Sequence, residues 1–326
     1  MNSFKNKLQV YLHKGIDTSL QIIEPLFLLN SKKSPTPPLF IVAPPRSGTT
    51  LIYQLITHSL STSYFCNFAN RFPLSPIAAT ALMRGQFNKY HSNFSSSYGN
   101  ISERVAPSQG DKIWERWFGS SRSYYDGTDL KEVDLTMIRN IVSRLTTLID
   151  GPFINKSISN SVRIQALNRV FPNSLFLWVK RDMTLTVQSQ LSNRNRHNLT
   201  NSWVSAKPKE YEQIKHLPIV EQVCNQIFWI HHNIYSDLCT INPKRYLIIN
   251  YEDVCSKPTR CIDQVRELWK NHGIIPKTRF DPPRSFCISN QIKMSTDVEK
   301  KVIDTLNLLQ TTHPIKTPYD TKGSIQ

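Results

Sequence analysis

The chain has 326 residues, 39% of them apolar and 20% charged, with 40 Lys and Arg against 24 Asp and Glu for a formal charge of +16. That length holds one large domain or two small ones with a full core, and the composition excludes a disordered or membrane-embedded chain. The basic excess favours anionic partners, and nucleic acid, anionic lipid, acidic glycans and a polyphosphate cofactor all remain open.

At the start, "MNSFKNKLQVYLHKG" lacks the apolar core of a secretory signal, so a cytoplasmic location is expected. The stretch "LQIIEPLFLL" (20–29) is broken by Glu24 and Pro25 and falls short of the about 20 residues that span a bilayer. A helix packed on the domain is expected first, and an interfacial helix in peripheral contact with a membrane second. "NSKKSPTPPLF" (30–40) carries three prolines and reads as a linker. It divides an N-terminal helical extension, residues 1–36, from a domain over 37–326.

Past the linker, short β-rich runs alternate with helical patterns. "LFIVA" (39–43) reads as a buried strand followed by a helix over 49–59. "PFINK" (152–156), "SLFLWVK" (174–180) and "RYLIINY" (245–251) read as further strands, trailed by helices over 161–171, 185–194 and 259–273. Unbroken apolar strands separated by helices predict an α/β fold of three layers, a central parallel sheet flanked by helices. Ligands of such sheets bind off the carboxyl ends of the strands.

The six cysteines, Cys66, Cys224, Cys239, Cys255, Cys261 and Cys287, form no CxxC pair and read as reduced thiols. The His231-His232 pair lacks a third ligand at metal spacing, so no metal site is expected. Sequons at Asn93, Asn100, Asn155 and Asn198 carry little weight in a cytoplasmic chain.

The first chemically loaded stretch is "LFIVAPPRSGTTLIYQL" (39–55). Laid on the nucleoside-triphosphate loop GxxxxGK[ST], Gly48 takes the second glycine, Thr50 the Ser/Thr, and Thr49 stands where the lysine belongs. The amides of Ser47, Gly48, Thr49 and Thr50 open a helix and can still cradle a phosphate. Arg46 returns a positive charge from within the loop. Such a loop suits a terminal phosphate as leaving group and grips a triphosphate poorly.

The second stretch, "SLFLWVKRDMTLTVQSQLSNRNRH", repeats the layout, with Arg181 at a strand end and Ser189 eight residues on. A guanidinium there can bind phosphate bidentately while the hydroxyl adds a neutral donor.

These stretches resemble the sulfotransferases that use 3'-phosphoadenosine 5'-phosphosulfate (PAPS). "PRSGTT" (45–50) is similar to that family's 5'-phosphosulfate loop, and Arg181 with Ser189 to its 3'-phosphate pair. "YLIINYEDVCSKP" (246–258) looks like its strand ending in Tyr-Glu-Asp, and "RVFPNSLFLWVKRD" (169–182) is similar to the protein-tyrosine and bacterial carbohydrate branch. The resemblance implies a P-loop-like fold and sulfuryl transfer from PAPS, with PAP as product, to an acceptor hydroxyl. A carbohydrate or glycolipid acceptor is expected; nucleic acid is not. Protein-tyrosine sulfation and a degenerate P-loop kinase are the alternatives.

It also implies roles. Arg46 and the amides of Ser47 to Thr50 would hold the 5'-phosphosulfate, and Arg181 and Ser189 the 3'-phosphate. Lys156, in "FINKS", matches a lysine that related branches place near the transferred group. Ser289, Asn290 and Lys293, in "SFCISNQIK" (285–293), lie where relatives close a polar loop over the cofactor. For the general base, "YFCNFANRFPLSP" (64–76) holds no acid where tyrosine-type enzymes have a glutamate. "SQGDKIWERWFG" (108–119) is similar to an acidic, aromatic segment of carbohydrate-modifying relatives, which makes Asp111 and Glu115 the candidates. Trp114 and Trp117 read either as a sugar-stacking surface or as packing of a helix whose charges are solvated.

Overall fold

The apolar runs become four parallel strands: β1 (Leu39–Val42), β2 (Ile154–Lys156), β3 (Leu175–Lys180) and β4 (Tyr246–Asn250). The computed structural model describes residues 2–29, 36–97, 99–121, 123–199, 202–288 and 290–315. Part of the expected linker, residues 30–35, and the candidate Ser289 lie outside the described residues. The strands run in the order β2-β1-β3-β4, with Leu39 beside both Ile154 and Leu175, and Phe176 beside Tyr246. β1 is buried at every position and β3 at all but its last, which is why they read as apolar runs and not as alternating ones; β2 is buried too, although it carries Asn155 and Lys156.

Helix α1 (Asn2–Leu28) precedes β1 and α2 (Thr49–Ser59) follows it. Between β1 and β2 come α3 (Pro76–Phe87), α4 (Asp111–Phe118) and α5 (Glu132–Ile149). α6 (Ile164–Val170) leads into β3; α7 (Met183–Arg196), the single turn α8 (Tyr211–Ile214) and α9 (Ile219–Leu238) lead into β4. The chain continues through α10 (Tyr251–Ser256), α11 (Pro258–Lys270) and α12 (Thr296–Thr312). α2 packs on β1, β2 and α11, while α11 packs on β4. On the other side α9 gathers α6, α7 and α12, and its His231 accepts a 3.1 Å hydrogen bond from the Trp178 indole of β3. The result is the three-layer α/β fold with a central parallel sheet.

Phe40 on β1 sits at the centre of the core, with the rings of Trp114, Phe153, Phe171 and Phe176 all within 6.4 Å of its own. Truncating such a residue to alanine costs about 3–5 kcal/mol.

Local chemistry sets the element ends. α7 starts at Met183, before the expected 185, because the Asp182 carboxylate accepts from the Leu185 amide at 2.8 Å. The expected helix over 161–171 splits into a 3-10 turn (Ile158–Val162) and α6. At the amino end, α1 docks through carboxylates. Glu24 accepts from the amides of Ile77 and Ala78 at 2.9 and 2.8 Å, and Asp17 accepts from the Leu74 amide and the Ser75 hydroxyl. These acids satisfy the donors at the start of α3 and favour its dipole. Among the described residues, no helix is long and apolar enough to cross a membrane. All six cysteines are free thiols.

The sheet order creates one special place. From β1 the chain adds β2 on one side and β3 on the other, so a crevice opens between the carboxyl ends of β1 and β3. Open parallel sheets bind ligands at such a switch point. Val42 pairs with Trp178 there, and the two loaded sequence stretches leave the sheet side by side.

Candidate active site

The loop after β1 is held in an unusual backbone shape. Arg46 has φ 70° and Gly48 φ 79°, both left-handed. A side chain at residue 48 is excluded twice, because a Cβ there would stand 2.1 Å from Cδ2 of Tyr251. The first hydrogen bonds within α2 run from the Leu51 and Ile52 amides to the Gly48 carbonyl. The amides before them belong to the uncommitted first turn, which attracts anions.

Arg46 and Arg181 line one cleft of about 340 Å³, within the roughly 300–1,000 Å³ typical of small-molecule sites. Arg181 donates Nη1 to the Arg46 carbonyl at 2.8 Å, and its guanidinium stacks 4.8 Å over the Tyr251 ring. The Arg46 Nε donates to the Ser189 hydroxyl at 3.1 Å. Arg46, Arg181 and Ser189, expected to serve two separate anion grips, are thus linked. Gly48, Thr49 and Thr50 line the same cleft, and Ser47 is fully buried beneath it.

Lys156 enters from the tip of β2, in register with Ile41 of β1. It is 2% exposed, and burial lowers its pKa from 10.5 to about 8, with Asp111 opposing the shift and Arg46 adding to it. Asp111 is the first residue of α4, after Gly110 at φ 71°, where the helix dipole favours a carboxylate. Its Oδ1 accepts from the Ser157 hydroxyl at 2.8 Å. Among the described residues, it is the one carboxylate lining the cleft. Beyond Gly99 the cleft continues into a polar annex of about 50 Å³, lined among others by Asn67, Asn70, Gln109 and Asp111.

The remaining candidates lie elsewhere. Glu115, one turn along α4, does not line the cleft. Trp114 is buried in the core with its indole on Asn155 Oδ1 at 3.1 Å, so the packing reading holds for it and the sugar-platform reading does not. Trp117 is partly buried beneath the Arg116 guanidinium. Asn290 and Lys293 are exposed, in a segment tied to α7 by Gln188. Gln188 donates to the Gln291 carbonyl at 3.0 Å and accepts from the Lys293 amide at 2.5 Å. His58 and His91 pack with Phe94 and Phe280. Among the described residues, no group of three His, Cys, Asp or Glu could hold a metal ion.

Several cleft residues escaped the sequence reading: Tyr251, Gln190, Asn193, Gly99 and Gln109. Tyr251 opens the Tyr-Glu-Asp stretch and could have been found. Gln190 and Asn193 follow Ser189 on α7. Gly99 and Gln109 sit in irregular chain, where no periodicity marks them.

The sequence profile of the sulfotransferase family matches residues 37–269. The chain belongs to the sulfotransferase family. No curated protein matches it. Among solved structures it is similar to sulfotransferase STF1 from Mycobacterium tuberculosis H37Rv, at a TM-score of 0.53 and 11% identity over 91% of this chain and 81% of that one. Sulfotransferase STF9 from Mycobacterium avium gives 0.49 at 17% identity, covering 87% and 70%. A sulfotransferase from Alicyclobacillus acidocaldarius gives 0.45 at 13%, covering 89% and 100%. At 11% identity, the likeness to STF1 concerns the fold alone.

Proposed function

We propose that the chain transfers a sulfuryl group from PAPS to an acceptor hydroxyl of a carbohydrate or glycolipid. The observation that carries this reading is the convergence of Arg46, Arg181 and Lys156 on one cleft that holds, among the described residues, a single lining carboxylate, Asp111. The residues present fit an adenosine bisphosphate. Three cationic side chains line the cleft for its charges, and the buried amide oxygens of the lining residues Gln190 and Asn193, which have no protein partner, can accept from its hydroxyl or amino groups.

PAPS supplies an activated sulfuryl group on a 5'-phosphate that leaves with the nucleotide. Arg46 and the first amides of α2 hold that phosphate and stabilise the charge it gains. Arg181 and Ser189 hold the 3'-phosphate. Lys156, protonated below about pH 8, places a desolvated positive charge beside the group in transfer. Asp111 accepts the proton of the acceptor hydroxyl, and Ser157 fixes the carboxylate for that task. The annex beyond Gly99, rich in side-chain amides, suits a hydroxyl-rich acceptor.

The test is calorimetry with PAP followed by transfer of label from radiolabelled PAPS to a panel of glycans, glycolipids and tyrosine peptides. Binding of PAP and labelling of a glycan or glycolipid are expected. Binding of ATP without PAP, or labelling of tyrosine peptides alone, would overturn the reading.

A further inference from the structure

Among its described side chains, helix α1 buries its acids and leaves a set of apolar residues in water. Its two acids, Asp17 and Glu24, are each only 5% exposed, consumed by the segment 74–78 and the first turn of α3. Leu20, Phe27 and Leu28 pack against the core, but a second set, of aliphatic residues, faces outward. Ile22 and Leu26 are 79% and 65% exposed, and Leu29, just beyond the helix end, is 75% exposed. The spacing of four and then three places them on one stripe. Ile16 and Ile23 on the same helix are exposed as well, and so is Leu82 on α3, the helix that α1 packs against.

An apolar stripe of this kind is disfavoured in water and marks a surface that meets something apolar. The charge pattern selects the partner. The sequence of α1 carries Lys5, Lys7 and Lys14 and no acid before Asp17, and both later acids are turned into the protein. With no acid left outward and a formal charge of +16, a second copy of this chain would bring like charges together. A surface of anionic lipid offers apolar depth and opposite charge at once. No described helix can span a bilayer, so the contact is one that lies along the interface. We propose that α1 docks the protein on anionic membranes through Ile22, Leu26 and Leu29, with the basic excess of the chain adding electrostatic attraction.

This proposal is independent of sulfuryl transfer, and its test reads binding alone. The full chain is floated with phosphatidylcholine vesicles and with vesicles containing about one third phosphatidylglycerol. Co-flotation with the anionic vesicles, weakened by high salt, is expected, with at least about tenfold less on neutral vesicles. The triple variant Ile22→Gln, Leu26→Gln, Leu29→Gln replaces only water-facing side chains and should keep the wild-type melting temperature while losing at least about tenfold in vesicle binding. The variant Lys5→Glu, Lys7→Glu, Lys14→Glu should lose the preference for anionic vesicles. Failure of the wild type to bind either vesicle, or equal binding by the wild type and the triple Gln variant, overturns the proposal. A soluble dimer that the Gln variant dissociates, with no vesicle binding, overturns it in favour of a second copy.

Discussion

Arg181 donates a 2.8 Å hydrogen bond from Nη1 to the main-chain carbonyl of Arg46, so the tip of β3 clamps the loop that follows β1. The clamp falls on a residue with φ 70°, a left-handed conformation that costs a non-glycine residue roughly 1–2 kcal/mol. Held this way, Arg46 directs its Nε to Ser189, the partner expected for Arg181. The loop and the strand tip form one hydrogen-bonded unit, which has consequences for mutation.

On the proposed reading, Arg181→Ala removes a ligand for the 3'-phosphate and releases the Arg46 loop together. The affinity for PAP should fall about 10–100-fold, the value of a charge-assisted hydrogen bond worth about 1.5–3 kcal/mol. Turnover at saturating PAPS should fall as well. Arg181→Lys keeps the charge but loses the planar fork that serves the Arg46 carbonyl while presenting further donors, so it should recover affinity only in part. Calorimetry with PAP and steady-state rates separate the two effects. A variant with lysine at this position that behaves as wild type in both would show that the clamp is dispensable.

Gly48→Ala meets two obstacles, the positive φ and the Tyr251 ring 2.1 Å from the new Cβ. The ring must move, and with it the surface on which Arg181 stacks. Loss of about 1–3 kcal/mol of stability and loss of PAP binding are expected. Tyr251→Ala in the same chain removes the clash and should restore part of the stability without restoring the binding. Thermal melts and PAP titrations of the single and double variants check this.

The sheet and the two loops were legible because each rests on a local rule. Strands buried on both faces read as unbroken apolar runs, and α2 occupies the expected 49–59 because the Pro-Arg-Ser-Gly-Thr-Thr turn announces its start. Lys156 was legible as a strand end, but its burial was not, since that depends on Gly99 and Asp111 arriving from chain distant in sequence. The choice between Asp111 and Glu115 was equally closed to sequence. Both sit on α4, and only the left-handed turn at Gly110 and the hydrogen bond from Ser157 show which carboxylate the cleft receives. Trp114 stayed open between two readings for a related reason. An aromatic among charges resembles a binding surface until Phe40, Phe65 and Phe118 are seen around it.

Asp111→Asn tests the base directly. The amide keeps an oxygen for the Ser157 hydroxyl and the shape of the helix start, but it takes up no proton. Turnover should fall about 10²–10⁴-fold, the usual contribution of a positioned base, with PAP affinity within a few-fold of wild type. Glu115→Gln, away from the cleft, should leave both nearly unchanged. A reversed ranking of the two variants would move the base to Glu115.

Lys156 ties the site to pH. Burial has lowered its pKa from 10.5 to about 8, so between those values the unfolded chain holds a proton that the folded chain has released. Stability should therefore rise with pH across that window, and below it the buried charge costs about 3 kcal/mol at 1.36 kcal/mol per unit. A bound phosphate reverses the balance, because a neighbouring anion favours the charged ammonium. Binding of PAP near pH 8.5 should thus draw in a fraction of a proton, seen as a calorimetric heat that changes with the ionisation enthalpy of the buffer. The free-enzyme quantity kcat/KM should decline as Lys156 loses its proton above about pH 8, and kcat only at higher pH. Lys156→Met should abolish the proton uptake, flatten the stability profile above pH 8 and lower turnover about 10²–10³-fold, the effect of removing one electrostatic donor from the reacting group. Proton uptake that persists in this variant would assign the titration to another group in the cleft and remove Lys156 from the chemistry.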